Sequence, residues 1–330
     1  MFVMLGIVIS LAAFSAFDAL VSLLVILLWR GIGNRLQSLP PSRRAQLSLS
    51  LRFLPAVAAS LLVFAYVIPA YLIYEPRETT EKVSFKMAFL AAFSLVFLLL
   101  ACCRFVSGQM ATRSLVKNWL RSSEPVRDDR LRIPIYRLKH PFPVIAVTGI
   151  LRRKLFIADQ LFDLLSEAEL AAAFAHEYAH LKARDNIKGA FLHACCDFLA
   201  ILPRRHTLDR AWIEASEIAA DEYAARAGGD ASLDLASALI KIARVVPENS
   251  RASMPAAVSL MAGESSAIAL RVQRLTQLAT ATPRTESSAG EWSLSHLCLF
   301  AIAIIVGLAF FPDMLSIFHE WIEVSVSALQ

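Results

Sequence analysis

Four stretches of this sequence are apolar for so long that they restrict the solvent the chain can live in. A helix needs about 20 mostly apolar residues to cross the hydrocarbon core of a bilayer, and residues 2–28, 53–74, 87–103 and 294–311 come close to that length with few charges inside them. Trp29, Tyr71 and Tyr74 stand at the ends of such stretches, where interfacial aromatics belong. Of the 330 residues, 57% are hydrophobic and only 18% charged, against about 25% charged in a soluble domain. That composition excludes a disordered chain, a collagen and a small disulfide scaffold. The net charge of +5 is too small and too scattered to signal nucleic acid, so no direct nucleic-acid binding is expected. Four of the five Cys fall in adjacent pairs, Cys102 with Cys103 and Cys195 with Cys196, and read as reduced, buried small residues.

Orientation follows from the basic residues, because Lys and Arg in short loops stay on the cytoplasmic side. The loop 30–52 carries Arg30, Arg35, Arg43, Arg44 and Arg52 and no acid. It is expected in the cytoplasm, which puts the N-terminus outside. Residues 104–293, between the third and fourth segments, then form a cytoplasmic domain. The tail 312–330, with Asp313, Glu320 and Glu323 and no Lys or Arg, lies outside. The expectation is a multi-pass protein of the plasma or inner membrane, with the bilayer as its first partner. Segment one lacks the basic start and short apolar run of a cleaved signal. Asp18 within it reads as a neutral, hydrogen-bonded packing device.

Within the expected domain, Ile133–Leu138, Val144–Thr148 and Lys154–Ile157 are short β-prone runs that predict a small antiparallel sheet. Ser166 with Glu169 three residues on is a capping box that starts an Ala-rich helix. That helix carries HEYAH, residues 176–180. Residues four apart share a helix face, so His176 and His180 can direct imidazole nitrogens at one tetrahedral ion while Glu177 reaches the water beside it. The pattern predicts one Zn²⁺ per chain, with Glu177 as general base. A third ligand is needed, and Glu217 on a second helix, about 208–227, is the best choice. Asp221, one turn on, would accept the other ring N–H of a ligand His. Glu214 and Glu222 compete with Glu217. Tyr223, or Tyr178, could donate to an oxyanion. A substrate strand is expected to pair with an edge formed by Val144–Thr148 or by Lys154–Ala158, where Phe156, Ile157 and Ala158 lie. His193, Cys195 and Cys196 could form a second metal site but read more simply as part of an apolar helix. His140, His206, His296 and His319 have no partners at ligand spacing, and Arg152, Arg153 and Lys154 read as a solvated hairpin.

HEYAHLKARDN followed by Glu217 in the form E-x-x-A-D resembles the BlaR/MecR-type membrane zinc metallopeptidases, and VIAVTGILRRKLFIADQLFDLLSEAEL is similar to that family's lead-in to its catalytic helix. The resemblance covers Val144 to about Leu275; in the membrane segments only the layout is shared. It implies a mainly α membrane protein with four transmembrane helices and an inserted α+β zincin-like (gluzincin) domain. By the same resemblance the activity is zinc-dependent endopeptidase, acting on a cytoplasmic or membrane-adjacent protein. A transcriptional repressor is among the substrates so implied; the chain itself is a further expected substrate, and a homodimer an expected assembly. The penicillin-binding sensor that follows the last segment in antirepressor members has no counterpart after Phe311, so β-lactam sensing does not transfer. E-x-x-A-D is shared with HtpX-type and CAAX-prenyl peptidases, which makes an HtpX-like quality-control peptidase the second family choice. The other class of function is a catalytically silent receptor or scaffold with structural zinc. Glu177 discriminates, because a structural site has no use for a base beside the metal.

Overall fold

The computed structural model describes residues 2–33, 35–76, 83–126, 133–195, 205–246, 265–280 and 312–329. Its chain divides into two compact units: residues 1–102, 195–212 and 287–330 form the first, and residues 103–194 and 213–286 the second.

The first three apolar segments are helices, and longer than the hydropathy of the sequence suggests. Helix α1 is Phe2–Ile32 and α2 is Pro41–Leu62, which passes through a π-helical turn, Val63–Val67, into α3, Ile68–Tyr74. Helix α4 is Phe85–Arg121. These three spans, Phe2–Ile32, Pro41–Tyr74 and Phe85–Arg121, are long and apolar enough to cross a membrane. The expected basic loop 30–52 is therefore largely helix. Pro41 is pre-organised for the first helical turn, and Arg43, Arg44 and Arg52 all lie on α2. Arg52 is buried and its Nε stands 3.1 Å from Asp209 Oδ1, so one of the five basic residues that set the expected orientation is spent in an ion pair. The π-helical turn is followed by Pro69, which has no N–H to donate and whose ring would strike the carbonyl four residues back in a regular helix.

Hydroxyls join α1 to α4. The Ser15 and Ser94 hydroxyls meet, and their two hydrogens are shared among that contact, Leu11 O at 2.6 Å from Ser94 Oγ and Leu90 O at 3.1 Å from Ser15 Oγ. Between apolar helices such bonds provide attraction that burial cannot, because lipid is as apolar as leucine. Leu5, Ile9, Val67, Tyr71 and Met87 pack together beside them. Asp18 is buried. Cys102 and Cys103 are exposed on α4, contrary to the expectation of burial. The fourth expected span, 294–311, lies outside the described residues. Within the expected tail, Pro312–Leu329 is a helix, here α11, whose Leu315 and Phe318 pack on Tyr66 and Ala70.

In the second unit the strands fall where the β-prone runs predict them: β2, Ile135–Leu138; β3, Ile145–Thr148; β4, Lys154–Ala158. A further strand, β1, Ser123–Val126, pairs with β2. The sheet has the order β1-β2-β4-β3. It is mixed rather than antiparallel, because β2 and β4 run parallel while β3 turns back along β4 as a hairpin. β4 is thus central. Phe156, Ile157 and Ala158 have no exposed surface, and the proposed substrate edge at these residues is ruled out. Of the two runs considered as edges, only β3 is one.

One face of the sheet packs on Trp119 at the end of α4 through Leu138, Val144, Ala146 and Phe156. The other packs on helices: α5, Asp159–Leu164; α6, Glu167–Ala183; α9, Ala231–Val245; and α10, Ser265–Thr280. Between α6 and α9 come α7, Asp185–Ala194, and α8, Arg205–Ala225. Two basic residues of the 152–154 cluster have structural partners: Arg153 donates to Leu181 O at the end of α6, and Lys154 lies over the Tyr136 ring.

Helix α6 starts as expected. Glu169 N–H donates to Ser166 Oγ at 3.2 Å and Ser166 N–H to Glu169 Oε2 at 2.8 Å. The same carboxylate takes Lys241 Nζ at 2.7 Å and Ser237 Oγ at 2.5 Å from α9. Burial would raise the pKa of Glu169, but the bonds from Lys241, Ser237 and Ser166 outweigh it and leave the group below its ordinary value. A depressed carboxylate stabilises the fold above its unfolded-state pKa and loses that contribution as pH falls through its folded-state pKa. Glu169→Gln is expected to cost about 1.5–3 kcal/mol at neutral pH. In denaturation of the purified protein, its deficit against wild type should fade below about pH 4.

Candidate active site

The site is built where α6 faces α8. On α6, His176 is wholly buried, Glu177 is 4% exposed, and His180 lies one turn further on. Their Nε2 atoms are 3.2 Å apart. Glu217 on α8 brings Oε2 to 3.7 Å from His176 Nε2 and Oε1 to 3.6 Å from His180 Nε2. A tetrahedral ion bound at about 2.0–2.1 Å separates its ligand atoms by about 3.3 Å. The donor set, two imidazoles and a carboxylate, is what zinc prefers, and three donors leave a fourth position open. The geometry also separates the competing carboxylates. Glu214 is exposed, and Glu222 turns to Arg274 Nη2 at 2.6 Å.

Each imidazole is held from behind by a carboxylate. His176 Nδ1 is 3.0 Å from Asp221 Oδ1, in the relation expected of that residue. His180 Nδ1 is 2.8 Å from Asp185 Oδ2, a partner that the spacing of the motif does not reveal, although Asp185 stands in the ARDN stretch just after it. Asp185 gets there through Arg184, which ends α6 in the left-handed region at φ 58° and turns the chain directly into α7. Next to it, Asn186 Nδ2 donates to Val147 O at 3.0 Å and Gly149 O at 3.2 Å, fastening the end of β3. Glu177 faces the same strand, its Oε2 accepting from Val147 N–H at 3.2 Å.

A further residue missed by sequence reasoning is Arg271 on α10, 8% exposed. Its Nε and Nη2 donate to the two oxygens of Asp221 at 2.8 and 2.7 Å, and Nη1 lies 3.0 Å from Glu217 Oε2. Only its basic character in an otherwise apolar helical face could have marked it.

These contacts set the ionisation of the group. Burial holds His176 below its ordinary pKa against the opposing pull of Asp221. Burial acts the same way on His180, but the bond to Asp185 and the charges of Glu217 and Glu177 outweigh it and carry the ring up to about 9. Burial also pushes Glu177 up to about 7, with Glu217 adding to the effect and the His180 and Arg271 charges opposing it. For Asp221 the effect of burial is overcome by Arg271 and His176, and its pKa falls to about 2.

The structure does not bring Tyr223 into this group. Two residues past Asp221 is about 200° around the helix. There its ring packs 6.1 Å from that of Tyr178 and beneath Lys182 Nζ at 5.1 Å. His193 and Cys195 join no metal-like grouping among the described residues, and Cys196 lies outside them. His319, expected to have no partner at ligand spacing, falls within 4.8 Å of carboxylates of Glu75 and Glu323, and its ring stacks on Tyr74 at 5.5 Å.

The cluster of His176, His180 and Glu217, with the buried carboxyl of Glu177 beside it, is of a type that can hold a metal ion, and it belongs to a chain with three helices long and apolar enough to cross a membrane. Residues 146–211 match the model of peptidase family M48. This match runs from β3 through the HEYAH helix into α8, stops short of Glu217, and supports a metallopeptidase of that kind. No curated protein matches the chain. Asp185→Asn is expected to weaken zinc binding by about 10–100-fold, measured by competition with a chromophoric chelator. Unchanged affinity would mean that Asp185 does not orient His180 for a metal.

Proposed function

We propose that this chain is an integral-membrane zinc endopeptidase of BlaR/MecR-like type that hydrolyses a cytoplasmic or membrane-adjacent protein. One observation carries the reading: the Nε2 atoms of His176 and His180 and the carboxylate of Glu217 converge at near-tetrahedral spacing, with the buried carboxyl of Glu177 on the same helix. His176, His180 and Glu217 are the residues that would hold zinc, oriented by Asp221 and Asp185. A zinc ion bound there supplies Lewis acidity toward a water and a peptide carbonyl. Glu177, raised to about 7 by burial, is suited to accept a proton from the attacking water and return it to the leaving amine near neutral pH. The substrate backbone is taken to pair with the outer edge of β3. On that edge Val147 is already engaged by Glu177 and Asn186, so pairing begins on its N-terminal side.

Glu177→Gln should retain zinc and lose about 10²–10⁴-fold in hydrolysis, assayed on casein and on the chain itself in mild detergent. Equal activity in both proteins, or wild type that holds no zinc, would sink the proposal. Comparison of protein N-termini in cells expressing wild type or Glu177→Gln would then name the substrate, with a repressor as the family-based expectation.

The basic residues from Arg30 to Arg52 support a cytoplasmic site with the N-terminus outside. A cytoplasm-only reporter fused after Ala289 and an export-only reporter fused after Gln330 should both give signal. The reverse pattern would turn the site outward and remove cytoplasmic proteins from consideration.

A further inference from the structure

The Arg271 guanidinium meets the carboxylates of both α8 residues in the site. Three nitrogens of one plane make three separate contacts: Nε and Nη2 on Asp221 at 2.8 and 2.7 Å, and Nη1 on Glu217 Oε2 at 3.0 Å. Asp221 in turn reaches His176 Nδ1 at 3.0 Å. One planar guanidinium therefore holds Asp221 by two hydrogen bonds and sets a positive charge 3.0 Å from Glu217 Oε2, so it bears on the Glu217 carboxylate directly and on the ring of His176 through Asp221. The burial makes this consequential. Asp221 and Arg271 are 3% and 9% exposed at their side chains, and removing one partner of a buried ion pair leaves the other without the contact that orients it. Without the guanidinium Asp221 would be a poorer acceptor for the imidazole N–H, and Glu217 would be free to rotate.

From this we infer that Arg271 is the positioning residue of the metal site, setting the geometry of two of its three ligands from a helix that contributes no ligand. The inference rests on the zinc reading above and adds a residue to it. A neighbouring contact separates positioning from mere attachment of α10 to α8. Arg274, one turn on, pairs with Glu222 at 2.6 Å and is 40% exposed at its side chain. It ties the same two helices together without touching Glu217 or Asp221.

The experiment compares wild type, Arg271→Lys, Arg271→Gln and Arg274→Met in the full chain purified in detergent. Zinc affinity is measured by chelator competition, cobalt(II) substitution supplies the ligand-field spectrum, and thermal unfolding is followed after metal removal. Lysine keeps the charge but cannot span two carboxylates with a planar fork. Arg271→Lys is therefore expected to bind zinc about 10–100-fold more weakly and to alter the cobalt bands. Arg274→Met should lose stability while keeping wild-type affinity and spectrum. Wild-type affinity and spectrum in Arg271→Lys would overturn the inference, as would equal loss of affinity in Arg274→Met. Should the lysine variant fail to fold, Arg271→Gln, which keeps a planar donor, is read by the same criteria. Wild type that binds neither zinc nor cobalt at one per chain would instead overturn the zinc reading itself, before any comparison of variants.

Discussion

The Nε2 atoms of His176 and His180 lie 3.2 Å apart, within hydrogen-bond reach of each other, and each ring is also held from its far side. Here the holders are carboxylates, Asp221 for His176 and Asp185 for His180, and much of the second unit serves to put them there. The capping box starts α6 at a defined residue, and the His176/His180 face follows from helical period alone. Asp221 comes from α8 and needs its own counter-charge, which α10 provides. Asp185 comes from the corner after α6. The result is a cluster with three acids besides Glu177 and one arginine, a charge pattern suited to a divalent cation.

The first unit meets a different physical requirement. Among apolar helices the hydrophobic effect gives no preference for helix over lipid, so specificity must come from close packing and from polar groups that would otherwise be unsatisfied. The Ser15–Ser94 pair and its bonds to the Leu11 and Leu90 carbonyls meet that need between α1 and α4. Tyr71 does the same at the end of the bundle, its hydroxyl donating to Phe2 O at 2.7 Å. Much of α4 meanwhile exposes large apolar side chains, Phe85, Phe89 and Leu99 among them, as a helix facing lipid can.

Periodicity made some of this legible from sequence and hid the rest. The first three apolar spans, the three β-prone runs and the capped HEYAH helix are local signals, and each of these appears at the expected place. Sheet order is not local. The central position of β4 depends on β2 lying parallel to it, and nothing in Phe156–Ala158 distinguishes a central strand from an edge. Helix ends were misjudged where proline starts a helix inside a polar stretch, as at Pro41. Glu217 and Asp221 could be named because they recur one turn apart. Arg271, fifty positions beyond Asp221, could not, since no spacing rule links a buried cation to carboxylates on another helix.

The corner at Arg184 shows how few residues connect the base, the ligand and the strand. Continuing α6 through this position would have carried Asp185 onward around the helix. Instead a single left-handed residue, φ 58°, which costs a non-glycine about 1–2 kcal/mol, reverses the path. It returns Asp185 to His180 and sets Asn186 against the carbonyls of Val147 and Gly149. Val147 also gives its N–H to Glu177. The edge of β3, the orientation of His180 and the placement of the carboxylate base are therefore set by one short stretch of backbone. On the proposed reading, an extended chain pairing with β3 would act on Glu177 through this one hydrogen bond.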